Sequence, residues 1–334
     1  MDKTLAVALS SIALLLAGTP GLAASNCKLM KVAEWRVSPT GPLTVEGAIN
    51  GQQVNILLDS GAARSFVLRA AADRLGLTRQ EALGYRFVGV GGETHVEQTL
   101  IDEFKIGQAV RKNWLVFVLG ERDFGHAYSA LLGYEFFEHV DVEFDLPHNA
   151  VRLFRIQDCA ETPLAYWGGV VDVVKLDIDN TNPKIRVPVK LNGKSLVAVL
   201  DSGSGTSVVS RLVAAQLGIT PDSPGTVAAG TAQGIGAARP DQWIGSFDSF
   251  SIGGEIVRNP QIRFTNLEVA SAETGSRLMA REELSDMLLG IDFLRAHRVY
   301  VAHSQGQVYF AYTGGSVFSA SRQPPTKPVA KPDR

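Results

Sequence analysis

The sequence predicts an all-β protein built from two similar lobes, with only short helices. Three observations carry this. Asn50-Gly51-Gln52-Gln53-Val54-Asn55-Ile56-Leu57-Leu58-Asp59-Ser60-Gly61 returns without a gap as Asn192-Gly193-Lys194-Ser195-Leu196-Val197-Ala198-Val199-Leu200-Asp201-Ser202-Gly203. The match continues through Ser65/Ser207, Val67/Val209, Arg69/Arg211, Ala72/Ala214 and Leu75-Gly76/Leu217-Gly218, so one structural unit is present twice. Glycine-rich turns separate runs of Val, Ile, Leu and Phe, a pattern that favours strands over helices.

The first residues read as an export signal over residues 1–23. Lys3 gives a thin positive start beside Asp2, residues 5–17 are apolar apart from Ser10 and Ser11, and Gly21-Leu22-Ala23 fits a small-x-small cleavage site. An uncleaved anchor is the alternative, but the apolar run is short for a bilayer span. Cleavage makes Ala24 the first mature residue, places the protein in the periplasm or outside the cell, and leaves no stable membrane insertion. Residues 24–41 form an N-terminal segment, 42–157 lobe 1, 158–168 a linker, 169–313 lobe 2, and 314–334 a disordered tail rich in Pro, Ser, Lys and Arg. At 334 residues the chain is long enough for two domains, each with its own core. Its net charge of -2 gives no reason to expect nucleic acid or an anionic membrane as a partner.

The elements follow in chain order. Residues 43–49 form a strand, Asn50-Gly51 a two-residue hairpin turn, and residues 54–58 a returning strand buried on both faces. Lobe 2 repeats this over 185–191, Asn192-Gly193 and 196–200. After each Asp-Ser-Gly comes a short strand, then a brief helix ended by Gly76 or Gly218. Glycine-rich hairpins follow around Gly89, Gly91 and Gly92, and less regularly around Gly234 and Gly236. The halves realign at Leu131-Leu132-Gly133 and Leu288-Leu289-Gly290, ahead of closing strands in each lobe. Cys27 and Cys159 bracket the first half, and are either bridged, as suits an exported chain, or two unrelated thiols.

A strand ending in Asp-Ser-Gly, a glycine-rich hairpin, and an apolar-apolar-Gly element before a short helix resembles the retropepsin-like aspartic proteases. Two copies in one chain also resemble the two-lobed pepsin-type enzymes. The likeness covers roughly residues 42–312. It implies retropepsin-like (acid-protease) β-barrel lobes in a pseudo-two-fold arrangement, with Asp59 and Asp201 as the catalytic pair. It implies Ser60, Gly61, Ser202 and Gly203 as support for the catalytic loops. Gly89, Gly91, Gly92, Gly234 and Gly236 would belong to flaps over a peptide or protein substrate, and the chain would be a monomer with an internal pseudo-dimer. No match to the flap tyrosine of pepsin-type enzymes is apparent, and Tyr85 is not given that role. The loops also differ: Ala62-Ala63-Arg64 in lobe 1 faces Ser204-Gly205-Thr206 in lobe 2. Arg64 either approaches the substrate or lies in solvent.

The chemistry has its own logic. Two carboxylates a few ångströms apart cannot both ionise cheaply, so the pair holds one proton. The ionised member can activate water and the protonated one can donate to a carbonyl oxygen, giving an optimum in the acid range, roughly pH 3–6. No cofactor is needed. The six histidines show no metal-ligand spacing, and no Gly-x-Ser-x-Gly or dinucleotide fingerprint is present. Glu135 and Asp292 are expected at short helix N-termini, and Phe136-Phe137, Trp114 and Phe117 in the core. Two alternatives stay open: a catalytically weak peptide-binding or scaffold protein of the cell envelope, and lobes that pair between chains.

Overall fold

The Asn-Gly turns start each lobe as their sequence requires. In the computed structural model, which describes residues 26–178, 184–270, 281–283 and 285–318, both central residues of each turn have positive φ: 49° and 78° at Asn50-Gly51, 48° and 78° at Asn192-Gly193. These values match the right-handed twist of a tight hairpin. Each asparagine also braces the next hairpin, because Asn50 Oδ1 accepts the Glu103 N–H at 3.0 Å and Asn192 Oδ1 accepts that of Asp248 at 2.7 Å. The expected signal peptide and most of the expected tail lie outside the described residues.

Lobe 1 is a closed barrel. Thr44–Ile49 pairs with Gln52–Leu58, which pairs in parallel with Ala130–Leu132; Phe66–Leu68, Ala109–Leu119 and Glu97–Ile106 follow. Glu97–Ile106 then returns to Thr44–Ile49, with Gly47 opposite Ile106. Lobe 2 repeats the plan, but its long hairpin is split into Asp241–Ser246 with Gln261–Thr265 and Ser249–Ile252 with Glu255–Arg258. Pro260 has no N–H to give to a ladder, and Asn259 before it adopts φ 50°. Two bonds carry the pairing across the break: Phe247 N–H to the Pro260 carbonyl and Asn259 N–H to the Asp248 carbonyl, both 2.9 Å.

The closing strands do something the repeat does not announce. Asp141–Asp145 and Ala150–Gln157 of lobe 1 join His297–Ala302 and Gln307–Tyr312 of lobe 2 in one six-stranded sheet. Val142 lies opposite Val301 and Phe144 opposite Val299, so each lobe completes the other through main-chain bonds. Residues 24–41 include an outer strand of this sheet, Lys28–Arg36, paired with Ala150–Gln157. Its solvent-facing polar residues concealed its role in the sequence. Asp172–Lys175 forms the other edge, against Gln307–Tyr312.

Buried acids on this shared sheet are hydrogen-bonded: Asp141 accepts from Ser304 and the Tyr300 hydroxyl. Glu143 has no exposed surface, and accepts from Arg152 at 2.9 Å, Arg298 at 2.6 Å and the Tyr166 hydroxyl at 2.8 Å. Tyr166 comes from the expected linker, where Leu164 is also buried. Burial pushes the Asp145 carboxyl upward, but hydrogen bonds from Arg152 and His148 outweigh it and hold the group below its ordinary range. Past the barrel of lobe 2, Val317 and Phe318 are buried, with the Phe318 ring 5.0 Å from that of Phe250. These two apolar side chains hold the first residues of the expected tail against the core.

Cys27 and Cys159 are joined by a disulfide that closes 132 residues of sequence. It fastens the edge strand to the end of its partner, beside Phe154, Leu164, Tyr300 and Tyr309. Replacing both cysteines by serine is expected to lower unfolding free energy by an amount on the order of 2–5 kcal/mol, because the unfolded chain regains the freedom of a long loop. Urea unfolding of the two proteins measures this. An unchanged midpoint would show that the bridge contributes nothing.

Candidate active site

Each Asp-Ser-Gly loop leaves the end of a buried strand and is held from below by the Leu-Leu-Gly element of its own lobe. Leu58 pairs with Leu132 and Leu200 with Leu289, both in parallel. The Asp59 and Asp201 N–H groups donate to the carbonyls of Leu132 and Leu289, each at 2.9 Å. Gly133 N–H donates to Ser65 Oγ at 2.9 Å, and Gly290 N–H to Ser207 Oγ at 3.0 Å. Glu135 and Asp292 lie in the first turns of short helices, as expected. Their carboxylates also accept the Ser65 N–H at 2.6 Å and the Ser207 N–H at 2.8 Å, which ties the helices to the loops.

The serines connect the lobes. Ser60 N–H donates to Ser202 Oγ at 3.0 Å, and Ser60 Oγ–H donates to the Leu200 carbonyl at 2.7 Å. The reciprocal pair, Ser202 N–H to Ser60 Oγ and Ser202 Oγ–H to the Leu58 carbonyl, has the same lengths. All four bonds are buried, where an unmade bond would leave a backbone group unsatisfied, so the two loops are held in fixed register.

That register brings the carboxyls together within one chain. A Cβ placed on Gly61 would lie 2.4 Å from Asp201 Cγ, and one on Gly203 would lie 2.3 Å from Asp59 Cγ. Each glycine therefore touches the carboxyl of the opposite lobe, an approach no side chain permits. Asp59 Oδ1 accepts the N–H groups of Gly61 and Ala62, and Asp201 Oδ1 those of Gly203 and Ser204, all at 3.0 Å. Each aspartate keeps some surface open to solvent, while protein atoms crowd its carboxyl on the remaining sides. Burial, followed by the charge of Asp201, raises the pKa of Asp59; burial also raises that of Asp201, against the loop N–H groups and Lys184. The outcome is a pair that retains one proton where isolated aspartates would be ionised, and the proton belongs to the pair rather than to either residue.

The glycine-rich segments meet each other. Phe87–Gly89 and Gly92–Thr94 form a small hairpin whose tip bonds to lobe 2. Gly236 N–H donates to the Val90 carbonyl at 3.2 Å and Ala238 N–H to that of Gly91 at 2.9 Å. Gly89 packs on the Ile235 side chain, and Gly234 lies against Val90. Only the outer parts of the lobe 2 segment are regular, as Val227–Thr231 paired with Asp241–Ser246; residues 233–240 form an irregular loop. Arg64 is exposed and its backbone abuts Gly133.

Two residues near the pair escaped the sequence reading. Tyr128 stacks on Phe124 at 4.9 Å, and burial together with the charge of Asp59 pushes its hydroxyl upward. Lys184 is close enough for its charge to act on Asp201. Neither could be found through the internal repeat, because Ser285 and Pro42 stand at the matching places. Among the described residues, no group of three or more His, Cys, Asp or Glu is placed to hold a metal ion.

Two barrels that each supply one carboxylate to a shared site define a two-lobed, retropepsin-like protein. A family model described as Aspartyl protease matches residues 45–136 and again 187–293, and the chain belongs to this family. No curated protein matches the chain.

Proposed function

We propose that the protein is an exported aspartic endopeptidase that hydrolyses peptide bonds with a water activated between Asp59 and Asp201. The observation that carries this reading is the reciprocal contact of Gly61 and Gly203 with the opposite carboxyls, which leaves two coupled aspartates sharing a proton. The ionised carboxylate takes a proton from the water as its oxygen attacks the peptide carbonyl. The protonated carboxyl donates to the carbonyl oxygen, and the pair then returns a proton to the leaving amine. Ser60 and Ser202 act as positioning residues that keep the two loops in register. The segments carrying Gly89, Gly91, Gly92, Gly234 and Gly236 close over an extended substrate. Both loops come from one chain, which supports a monomer with an internal pseudo-dimer. Export is supported by the N-terminal segment and by the disulfide, a bond that persists in oxidising compartments. No helix among the described residues is long and apolar enough to cross a membrane.

The test is peptide-library cleavage by the purified chain across pH. The rate should follow a bell, since fully protonated carboxyls supply no base and fully ionised ones no acid. Because both aspartates are raised, the alkaline limb should lie above the ordinary aspartate value of about 3.9. The maximum is expected in the acid to mildly acidic range, roughly pH 3–6. A kcat/KM that still rises above about pH 8 would remove the carboxyl pair as the engine.

A further inference from the structure

Glu121, Arg122 and Asp123 are consecutive in the loop that also carries Tyr128. The two acids are engaged elsewhere. Glu121 accepts from Arg69 at 3.2 Å and from Thr94 Oγ1 at 2.9 Å, while Asp123 accepts from Arg74 at 2.7 Å and from the Gly125 N–H at 2.8 Å. Arg122 is left between them. Both of its terminal guanidinium nitrogens are shielded from solvent, and neither has a hydrogen-bond partner among the described residues. A guanidinium carries five donors and does not give up its charge, so shielding it without an acceptor is costly.

Its charged neighbour makes the arrangement less favourable still. Burial, then the positive charge of Arg239, pushes the pKa of Arg122 down. Both arginines lie beside the bonds that join the lobes at the flap. Glu121, immediately before Arg122, donates its N–H to the Ile235 carbonyl at 3.1 Å. Ala238, immediately before Arg239, donates to Gly91 at 2.9 Å. Two cations thus lie at the flap junction with no acid among the described residues paired to either, where an anion would pair with both.

We propose that Arg122 and Arg239 form a carboxylate-binding subsite at the flap junction, selecting peptides that place an acidic group there. This rests on the reading of the paired aspartates as a peptidase site, and it assigns that site a substrate class. The carboxylate is either an Asp or Glu side chain or a free C-terminus. When the flap segments part to admit a peptide, Arg122 supplies a planar, bidentate donor fork, and Arg239, on the exposed side, supplies a second charge.

The full chain should be tested with peptide pairs that differ only in acidic against neutral residues around the cleaved bond, each with a free and an amidated C-terminus. In Arg122→Gln, the acidic-to-neutral ratio of kcat/KM should fall about tenfold or more, as expected for loss of a charged hydrogen bond. Arg239→Gln should reduce the ratio less, and Arg122→Lys should retain part of it. Preference that disappears on amidation identifies a C-terminal carboxylate; preference that survives identifies a side chain. Polarisation of a labelled acidic peptide bound to the Asp59→Asn protein, with and without Arg122→Gln, reads the subsite without turnover. Absence of cleavage by the unmodified protein would therefore defeat the peptidase reading while binding still decides the subsite. Arg239→Gln, at an exposed position, keeps the test decisive if Arg122→Gln does not fold. Equal binding of acidic and neutral peptides, or ratios unchanged in the folded variants, would overturn the proposal.

Discussion

Asp59→Asn is expected to lower kcat/KM by about 10³-fold or more while raising the thermal midpoint near neutral pH. The loss follows from the chemistry: asparagine can neither take a proton from water nor return one to the leaving amine. The gain follows from linkage. The folded-state pKa values of the pair are raised, so the folded protein binds its proton more tightly than the unfolded chain does. That contribution is complete below the unfolded aspartate pKa, about 3.9, and is lost as pH rises through the folded value. Asparagine never ionises, and its Oδ1 can still accept the Gly61 and Ala62 N–H groups. The advantage should be near zero at pH about 4 and grow to an amount on the order of 1–2 kcal/mol near neutrality, a few degrees in Tm for a chain of this size. Asp201→Asn should behave in the same way. Half of the activity surviving in either variant would mean two independent sites, and a Tm difference that shrinks as pH rises would contradict the raised pair.

Gly203→Ala is expected to remove activity by about 10²-fold or more with a loss of stability of about 1–3 kcal/mol. The new methyl group would sit 2.3 Å from Asp59 Cγ and 2.5 Å from both carboxyl oxygens. Asp59 has little freedom to yield, because two loop N–H groups hold its Oδ1 and Asp201 occupies the opposite side. Either the carboxyl turns away from its partner or the Ser60–Ser202 junction opens. Gly61→Ala should act through Asp201 in the same way, at 2.4 Å from its Cγ. The readouts are kcat/KM and the pH profile of the folded variant, since a displaced carboxyl should also shift the alkaline limb. Activity near that of the unmodified protein would show that the glycines are not spacers between the carboxyls.

Much of the architecture follows from local chemistry. Asn-Gly turns, short apolar runs and a gapless internal repeat are short-range signals, and they place Asp59 and Asp201 at equivalent strand ends. The shared six-stranded sheet is different. Pairing of Val142 with Val301 joins residues far apart in sequence, and the pattern of each strand alone reads equally well as closure of its own lobe. The polar outer face of Lys28–Arg36 hides a strand that only its partner, Ala150–Gln157, reveals.

The site divides along the same line. The doubled Asp-Ser-Gly and the glycines beside each carboxyl are legible in the chain alone, because those features rest on backbone demands within a few residues. How the two halves meet is set by contacts between residues far apart in the chain. The Ser60–Ser202 bonds, the Gly61–Asp201 and Gly203–Asp59 contacts and the meeting of Gly91 with Ala238 each join opposite lobes. Tyr128, Lys184 and Arg122 came into view in the same way, since burial and charge at a point in space are set by whatever part of the chain packs there.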